Sequence, residues 1–233
     1  IQMEYQKISI LTPTFNRSKF LLLYLHNIKS QSYPHSYLDV IIDDDGDEPF
    51  ISNLDEVRNF LFPIKLTYLR YNQKRSIGIK RNNLVKNSKN KIFMFFDDDD
   101  IYAGECVHYC YKELINNKYG LVGSSQMLFY HLKLDKFTAI QCNSKMLIHE
   151  ATMMMTRKYF TSMNGFKTKG YGEGKKLIQS DNDKRVGDLD ILKIMVCLDH
   201  GENTVAKDRF KNNKPCEIHL NQHIKDLINN IFK

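Results

Sequence analysis

Of the chain's 233 residues, 42% are hydrophobic and 12% are aromatic, which is enough for a packed core and excludes an intrinsically disordered chain. No apolar run reaches the roughly 18 residues that a membrane-spanning helix needs, and the opening IQMEYQKISI lacks the pattern of a secretory signal. The formal net charge of +7 is moderate and is compatible with a nucleic acid or a small phosphorylated ligand as partner.

The first half of the chain alternates between strand-like and helix-like segments. Short apolar or β-rich runs predict strands at 7–11, 38–42, 64–69 and 92–96. Helical periodicity predicts helices at 19–29, 55–61 and 76–87, the first of them capped by Ser18. Such alternation indicates a mainly parallel sheet with helices on both faces, because parallel strands need crossover connections.

Three of these strands end in polar clusters. The clusters are Thr12-Pro13-Thr14, the acidic residues 43–45 and the aspartates 97–100. Ligands of parallel α/β sheets bind beyond the carboxyl ends of the strands, so we expect the clusters to open into one crevice. Adjacent carboxylates repel one another, and water, basic side chains or a metal ion must compensate their charge.

The second half is less regular. Helices are predicted at 105–116, 157–163 and 219–232. Strands are predicted at 121–122, 151–155 and 189–198, with antiparallel strands through the alternating segment 126–140. Residues 165–185 are rich in Gly, Lys, Asp and Asn and are predicted to form a mobile loop. The chain shows no internal repeat and no linker, so residues 1–233 are expected to form a single domain.

The cysteines suggest a reducing environment. Cys106, Cys110, Cys142, Cys197 and Cys216 are odd in number and scattered in spacing, and no second pair completes a zinc site. We therefore expect free, buried thiols and a cytoplasmic location. Because the chain does not begin with Met, a truncation of a longer protein is one interpretation.

Several segments, in this order and spacing, resemble the A-fold nucleotide-sugar glycosyltransferases, close to the large family-2-type group. KISILTPTFNR resembles the first strand and the turn that holds the nucleotide base. VIIDDDGDE resembles the second-strand signature, SIGIKRNNLV the segment that lines the donor site, and FFDDDD the metal-binding Asp-x-Asp motif. Further on, GYGEGKKLI and LDILKIMVCLDHGENT resemble a subgroup that includes enzymes from large DNA viruses. The resemblance covers most of residues 7–210.

The resemblance implies the glycosyltransferase A fold, an α/β domain with a mainly parallel central sheet, helices on both faces and a smaller antiparallel C-terminal part. Residues 1–100 would bind the nucleotide, and residues 101–233 would complete the metal and acceptor sites. The implied reaction is an inverting, metal-dependent transfer of a sugar from a nucleoside diphosphate, most simply a UDP-sugar. The acceptor would be a hydroxyl group of a glycan or protein.

The matched segments also imply which side chains bind the donor. The first strand and its turn contribute Thr12, Pro13, Thr14, Asn16 and Arg17. Asp44 aligns with the residue that contacts the base, although an acidic residue follows the Asp-Asp-Gly core where the family usually has Ser. Arg81 and Asn82 fall where the family lines the donor site. Asn203 and Thr204 could donate hydrogen bonds to the diphosphate.

The Asp-x-Asp match implies the metal ligands. Asp97 and Asp99 stand at the metal positions, and Asp98 is expected to meet the donor sugar. Several A-fold transferases complete the metal shell with a histidine from the C-terminal half, which here is His200. Hard ions prefer carboxylate oxygen, so the expected cofactor is Mn²⁺ or Mg²⁺, which would stabilise the leaving diphosphate.

An inverting reaction also needs a base that removes the proton of the acceptor hydroxyl. Glu173 lies between glycines in YGEGKK, where the backbone can approach a ligand closely, and is the predicted base. The Glu-Asp pair that the family usually has after a Gly-Phe turn is absent. Asp188 and Asp190 are therefore reserve candidates.

Two other functions remain open. A nucleotidyltransferase also combines an α/β sheet with aspartates and a divalent metal, but TPTFNRSKF lacks the glycines expected after the first strand. Basic residues without any acid fill the segment 74–91, which would suit a nucleic-acid-binding module. The aspartate cluster would repel a duplex, so no nucleic-acid partner is expected.

Overall fold

Two β-sheets form the framework of the residues that a computed structural model describes, which are 4–142, 144–169, 172–179, 185–203 and 207–232. The strands are β1 (Ile8–Thr14), β2 (Leu38–Asp44), β3 (Lys65–Arg70), β4 (Ile92–Phe95), β5 (Ile101–Tyr102), β6 (Leu121–Gly123), β7 (Met127–His131), β8 (Lys136–Ile140), β9 (Met154–Thr156), β10 (Val186–Asp188), β11 (Met195–Asp199) and β12 (Lys214–Pro215). The helices are α1 (Leu21–Lys29), α2 (Leu54–Leu61), α3 (Ile77–Asn87), α4 (Cys106–Asn116), α5 (Arg157–Ser162), α6 (Lys175–Gln179) and α7 (Gln222–Ile231).

The larger sheet has the strand order β10-β6-β9-β4-β1-β2-β3. Strands β1 to β4 are parallel to one another, whereas β9 is antiparallel to both β4 and β6. Ile92 and Met94 enter one hydrophobic cluster, and Phe93 and Phe95 enter another, because alternate residues of a strand point to opposite faces. Both faces are thus covered, which confirms the predicted mainly parallel central sheet.

The carboxyl ends of β1, β2 and β4 meet at one edge of this sheet. Strand β1 lies between the other two, with Thr14 opposite Asp44 and Leu11 opposite Phe95. The polar residues that end β1 and β2 therefore lie beside those that follow β4. This neighbourhood is the crevice that the three polar clusters predict.

The smaller sheet has the order β12-β8-β7-β11-β5 and is antiparallel except between β7 and β11. It provides the predicted antiparallel C-terminal part. The hairpin of β7 and β8 accounts for the alternation that predicts antiparallel strands at 126–140. Because β11 ends at Asp199, it delivers His200 to the edge where the aspartates after β4 lie.

Some predicted element boundaries were wrong. Ser18 lies in a 3-10 turn, Ser18–Phe20, and its side chain caps nothing, so α1 begins only at Leu21. In the predicted strand 189–198, the Asp190 carboxylate accepts a hydrogen bond from Leu192 N at 3.0 Å and begins a 3-10 turn instead. Three further differences are the unpredicted strand β10, helix α6 within the predicted loop 165–185, and a 3-10 turn, Glu150–Thr152, in place of the start of the predicted strand 151–155.

The described residues contain neither a disulfide nor a helix that could cross a membrane. All five cysteines are free. Cys106, Cys110 and Cys197 are buried as predicted, whereas Cys142 and Cys216 are half-buried. None of the described helices is both long and apolar enough to span a bilayer.

Arg157, at the start of α5, fixes the C-terminal end of α3. Its guanidinium donates to three backbone carbonyls, from Nη1 to Val85 O at 3.0 Å, from Nη2 to Ser88 O at 2.6 Å and from Nε to Asn90 O at 3.1 Å. Backbone carbonyls at a helix end lack intrahelical donors, so a planar cation satisfies them efficiently. This contact anchors the helix that carries Arg81.

We expect Arg157→Lys to lower the free energy of unfolding by about 1–3 kcal/mol, because one amine cannot replace a fork that reaches three carbonyls. Urea unfolding measures the change. The matched control is Lys158→Ala at the exposed neighbouring position, which should stay within about 0.5 kcal/mol of the parent. Equal stabilities of the two variants would contradict the anchoring role.

Candidate functional site

Buried cations compensate the acidic end of β2. Lys80 Nζ donates to the Asp45 carboxylate and to the Thr14 carbonyl, so it ties the ends of β1 and β2 together. The Arg75 guanidinium contacts Asp43 and its backbone N donates to Asp45 Oδ2 at 2.7 Å. Burial raises the pKa of the Asp43 carboxyl above its ordinary value, although the Arg75 charge opposes the shift.

Asp44, the predicted base contact, is engaged on both carboxylate oxygens and is 0% exposed. Oδ1 accepts a hydrogen bond from Gly46 N at 2.9 Å. Oδ2 accepts from Phe50 N at 2.8 Å, the Tyr68 hydroxyl at 2.5 Å and Arg70 Nη1 at 2.8 Å. The carboxylate therefore holds the turn after β2, and its contact with a nucleotide base stays a prediction.

The aspartates after β4 differ in exposure. The side chains of Asp97 and Asp99 are 31% and 15% exposed, whereas Asp98 and Asp100 are buried at 5% and 4%. Asp100 Oδ1 accepts a hydrogen bond from Leu198 N at 3.0 Å. Asp98 Oδ2 is buried without a hydrogen-bond partner among the described residues. Burial, reinforced by the charge of Asp99, raises the pKa of both buried carboxyls well above the ordinary value.

Two arginines flank the accessible pair. Arg17 Nε lies 3.6 Å from Asp99 Oδ2, and Arg81 Nη2 lies 3.4 Å from Asp97 Oδ1. Arg17 also donates from Nη2 to the Glu202 carbonyl at 2.8 Å. Basic side chains therefore compensate part of the charge of the aspartate cluster.

His200 faces Asp99 from the C-terminal half of the chain. Its Nε2 lies 3.1 Å from Asp99 Oδ2, and its ring packs against the rings of Phe20 and Phe232, with centroids 4.8 Å and 5.7 Å away. Glu202 N donates to Nδ1 at 3.3 Å, so the ring proton belongs on Nε2, which then donates to Asp99. Two of the three predicted metal ligands, Asp99 and His200, are thus in contact.

Arg81 links the Asp-x-Asp segment to the predicted base. Its Nε lies 3.3 Å from Glu173 Oε1, while its other end reaches Asp97. Glu150, which no motif in the sequence indicates, supports this region because its Oε1 accepts from Gly174 N at 3.1 Å. Burial raises the pKa of the Glu173 carboxyl, the Arg81 charge opposes that shift, and the Glu150 charge reinforces it.

The segment that precedes Glu173 packs tightly on α3. Asn82 donates from Nδ2 to Phe166 O at 3.0 Å and accepts from Phe166 N at 2.9 Å across 84 residues of sequence. A Cβ added to Gly78 would lie 1.8 Å from the Lys167 carbonyl oxygen. Lys167 N in turn donates to the Glu173 carbonyl at 3.1 Å. Only glycine fits at this contact, which brings the loop of Glu173 beside Arg81.

Several of the predicted donor-binding side chains make contacts within the chain. These contacts join Asn203 with Leu198 and His200, Asn16 with Asp47, and the Thr12 hydroxyl with the Tyr24 hydroxyl. Pro13 and Thr14 are buried at the end of β1, and Thr14 Oγ1 has no hydrogen-bond partner in the described part of the chain. Thr204 lies outside the described residues.

The reserve candidates for the base support local turns. Asp188 accepts from Ser125 N at 2.8 Å and from the Ser125 hydroxyl at 2.6 Å. Asp190 is exposed and accepts from Leu192 N at 3.0 Å. Neither carboxylate contacts Arg81, and Glu173 is the candidate that the structure brings next to Asp97 through that arginine.

Sequence comparison relates the chain to known proteins. Residues 9–170 match the family described as Glycosyl transferase family 2. A protein of Rickettsia bellii (strain RML369-C), described as an uncharacterized glycosyltransferase, is 25% identical over 178 residues. That alignment covers 70% of this chain and 25% of the relative, so the chain spans about a quarter of the relative's length.

Solved structures share the fold. The mannosyltransferase PcManGT from Pyrobaculum calidifontis, in complex with GDP-Man and Mn²⁺, superimposes with a TM-score of 0.62 at 16% identity, covering 83% of this chain and 57% of that one. S. aureus TarS 1-349 in complex with UDP gives 0.67 at 15% identity, covering 83% and 60%. Identities this low show a common fold alone.

Asp44→Asn tests whether that carboxylate is structural. We expect it to lower the free energy of unfolding by about 1–3 kcal/mol, because an uncharged amide cannot replace the charge-assisted hydrogen bonds that the buried carboxylate accepts. Urea unfolding of the variant and titration of UDP without metal separate the two roles. A normal stability together with a weakened UDP affinity would instead support the base contact that the alignment predicts.

Proposed function

The chain belongs to glycosyl transferase family 2, and we propose that it moves a sugar from a nucleoside diphosphate to a hydroxyl group of a glycan or protein. The main support is the accessible pair Asp97 and Asp99, which a buried strand delivers to the crevice beside His200. Solved structures of the same fold hold UDP in one case and GDP-Man in another. The proposed donor is a UDP-sugar, and the proposed transfer inverts the configuration at the anomeric carbon. The proposed related enzymes are the subgroup that includes enzymes from large DNA viruses.

The donor would lie across the ends of β1, β2 and β4. Residues 1–100 supply these strand ends together with Arg81, while Glu173 and His200 come from residues 101–233. This arrangement supports a single domain in which the first part binds the nucleotide and the second completes the metal and acceptor sites. Arg17 and Arg81 are the cations nearest the accessible aspartates and would contact the diphosphate, since guanidinium pairs well with phosphate oxygens.

Asp97, Asp99 and His200 would hold a divalent ion, Mn²⁺ or Mg²⁺. Among the described residues, no three His, Cys, Asp or Glu side chains are already grouped as a metal site, so diphosphate and water oxygens would complete the shell. The fit is supported by the accessible carboxylates and by the 3.1 Å approach of His200 Nε2 to Asp99. Nε2 must lose its proton to bind an ion, which would break the weak contact of Nδ1 with Glu202 N. When bound, the ion would neutralise charge that develops on the leaving diphosphate.

Glu173 would accept the proton of the attacking hydroxyl. Its raised pKa makes it a stronger base than an ordinary glutamate, and proton transfer is most efficient when the pKa of the base lies near the working pH. Arg81 contacts Glu173 and Asp97 at once and would fix the spacing between base and donor. The acceptor hydroxyl would therefore lose its proton as its oxygen attacks the anomeric carbon.

The basic segment 74–91 supports this proposal over a nucleic-acid-binding module. Arg75, Lys80 and Arg81 turn inward to carboxylates of the crevice. A phosphate backbone outside the protein would have to compete with these buried partners. Membership of the family leaves the nucleotidyltransferase interpretation without support.

Asp99→Ala should abolish the Mn²⁺-dependent part of UDP binding, and His200→Ala should raise the required Mn²⁺ concentration by about ten- to a hundredfold. Isothermal titration of UDP with and without Mn²⁺ measures both effects. Asp55→Ala is the control, because that side chain is 90% exposed on α2. If Asp99→Ala keeps parental metal-dependent binding, Asp99 is not a metal ligand.

Glu173→Gln should keep UDP and Mn²⁺ binding but lower kcat by about 10²–10⁴-fold, because the amide cannot accept the proton. A base acts only when deprotonated, so its raised pKa should make parental activity fall with decreasing pH above the ordinary glutamate range. Transfer rates across pH test both statements. Normal turnover in Glu173→Gln, with loss in Asp188→Asn or Asp190→Asn, would move the assignment to a reserve candidate.

A further inference from the structure

A small cavity, of about 250 Å³, lies between the end of β7 with its following turn, the end of β11 and the segment 207–211. Lys133, Lys207 and Lys211 line it, together with Asp208 and the buried pair of His131 and Asp199. Its volume is below the range of about 300–1,000 Å³ that accommodates whole small-molecule ligands. It can therefore hold one compact group rather than a nucleotide.

The lining has a surplus of positive charge. Lys211 Nζ pairs with Asp208 Oδ1 at 2.5 Å, and Asp199 Oδ2 lies 2.7 Å from His131 Nδ1. In the part of the chain that the structure describes, neither Lys133 nor Lys207 has a carboxylate within 4.0 Å. Two ammonium groups thus line a small polar cavity without a described carboxylate in salt-bridge contact.

The hydrogen bonds of His131 do not remove this surplus. The Thr138 hydroxyl donates to Phe210 O at 3.1 Å, and since it carries one hydrogen, it must accept from His131 Nε2 at 2.8 Å. Asp199 Oδ2 lies 2.7 Å from His131 Nδ1, so this carboxylate is engaged by His131 and is not in salt-bridge contact with either lysine.

The cavity adjoins the proposed transfer site. Asp199, on its wall, directly precedes His200, which faces Asp99. Burial alone would lower the pKa of Lys207, but Cys197 and the aspartates after β4 outweigh it and raise the pKa. Lys207 is therefore charged, and the aspartates after β4 act on it beyond salt-bridge distance.

We propose that this cavity binds a phosphate group of the acceptor, an inference that rests on the proposed transferase function. Phosphate matches the unpaired ammonium groups of Lys133 and Lys207, and its size suits a cavity too small for a glycan. A phosphorylated acceptor anchored here would lie on the side of the proposed transfer site where Asp199 precedes His200. A free phosphate ion and the diphosphate of the donor are the alternative sources of the same chemistry.

The test measures binding of inorganic phosphate, a hexose 6-phosphate and the unphosphorylated hexose by isothermal titration, with and without saturating UDP and Mn²⁺. Lys133→Ala is the informative variant, because that exposed side chain can be removed without opening the core. Lys65→Ala removes the same charge from an exposed position of β3 and serves as the control. Loss of one charged contact should weaken phosphate binding about tenfold or more.

The proposal is supported if the hexose phosphate binds in the presence of UDP, the plain hexose does not, and Lys133→Ala but not Lys65→Ala weakens binding. It is overturned if inorganic phosphate binds as tightly as the hexose phosphate and Lys133→Ala leaves both affinities unchanged. It is also overturned if UDP abolishes phosphate binding, since the anion then occupies the donor site. A failure of UDP to bind would count against the transferase function, while the dependence on Lys133 would still be read without UDP.

Discussion

Compensation of carboxylate charge at one sheet edge is the constraint on which the rest of the site depends. The aspartates that end β2 and follow β4 lie at the same edge of the sheet on either side of β1, and a buried carboxylate without a partner costs several kcal/mol. Arg75, Lys80 and Arg81 offset this cost by pairing with the carboxylates. These three cations lie on α3 and on the loop before it. The position of α3 is therefore fixed by the acidic edge, and the crevice takes its shape from that arrangement.

The sequence predicts the strands of the central sheet better than the direction of single side chains. Apolar runs that alternate with helical periodicity are sufficient to identify β1 to β4. The run Asp43-Asp44-Asp45 does not indicate which carboxylate faces the crevice, because the three residues are identical. The direction of each side chain depends on which face of the sheet its position in the strand points to. Core packing fixes these directions, because Ile41 and Ile42 enter different hydrophobic clusters on opposite faces of the sheet. As a result, the Asp44 carboxylate binds Arg70.

Residues that lie outside any motif could not be found from the sequence. Glu150 contacts Gly174 only because the fold brings together two residues that are 24 positions apart. Nothing in the surrounding sequence IHEAT indicates a functional position. Lys207, which precedes the 3-10 turn Asp208–Phe210, likewise interacts electrostatically with the aspartates. By contrast, His200 could be predicted, since its place after a strand and before Gly-Glu-Asn matches a known pattern, and the structure brings it to Asp99.

The tight contact between α3 and the segment 166–168 has a consequence for how the protein is made. Leu84 and Val85 of α3 share a hydrophobic cluster with Phe166, and the hydrogen bonds of Asn82 to that residue span 84 positions. Ribosomes add about 5–20 residues per second, so the synthesis of the segment 166–168 follows that of α3 by on the order of ten seconds. During that interval the apolar face of α3 is exposed to solvent, although most of the first half of the chain has been made. At this stage of synthesis, aggregation or chaperone binding competes with folding.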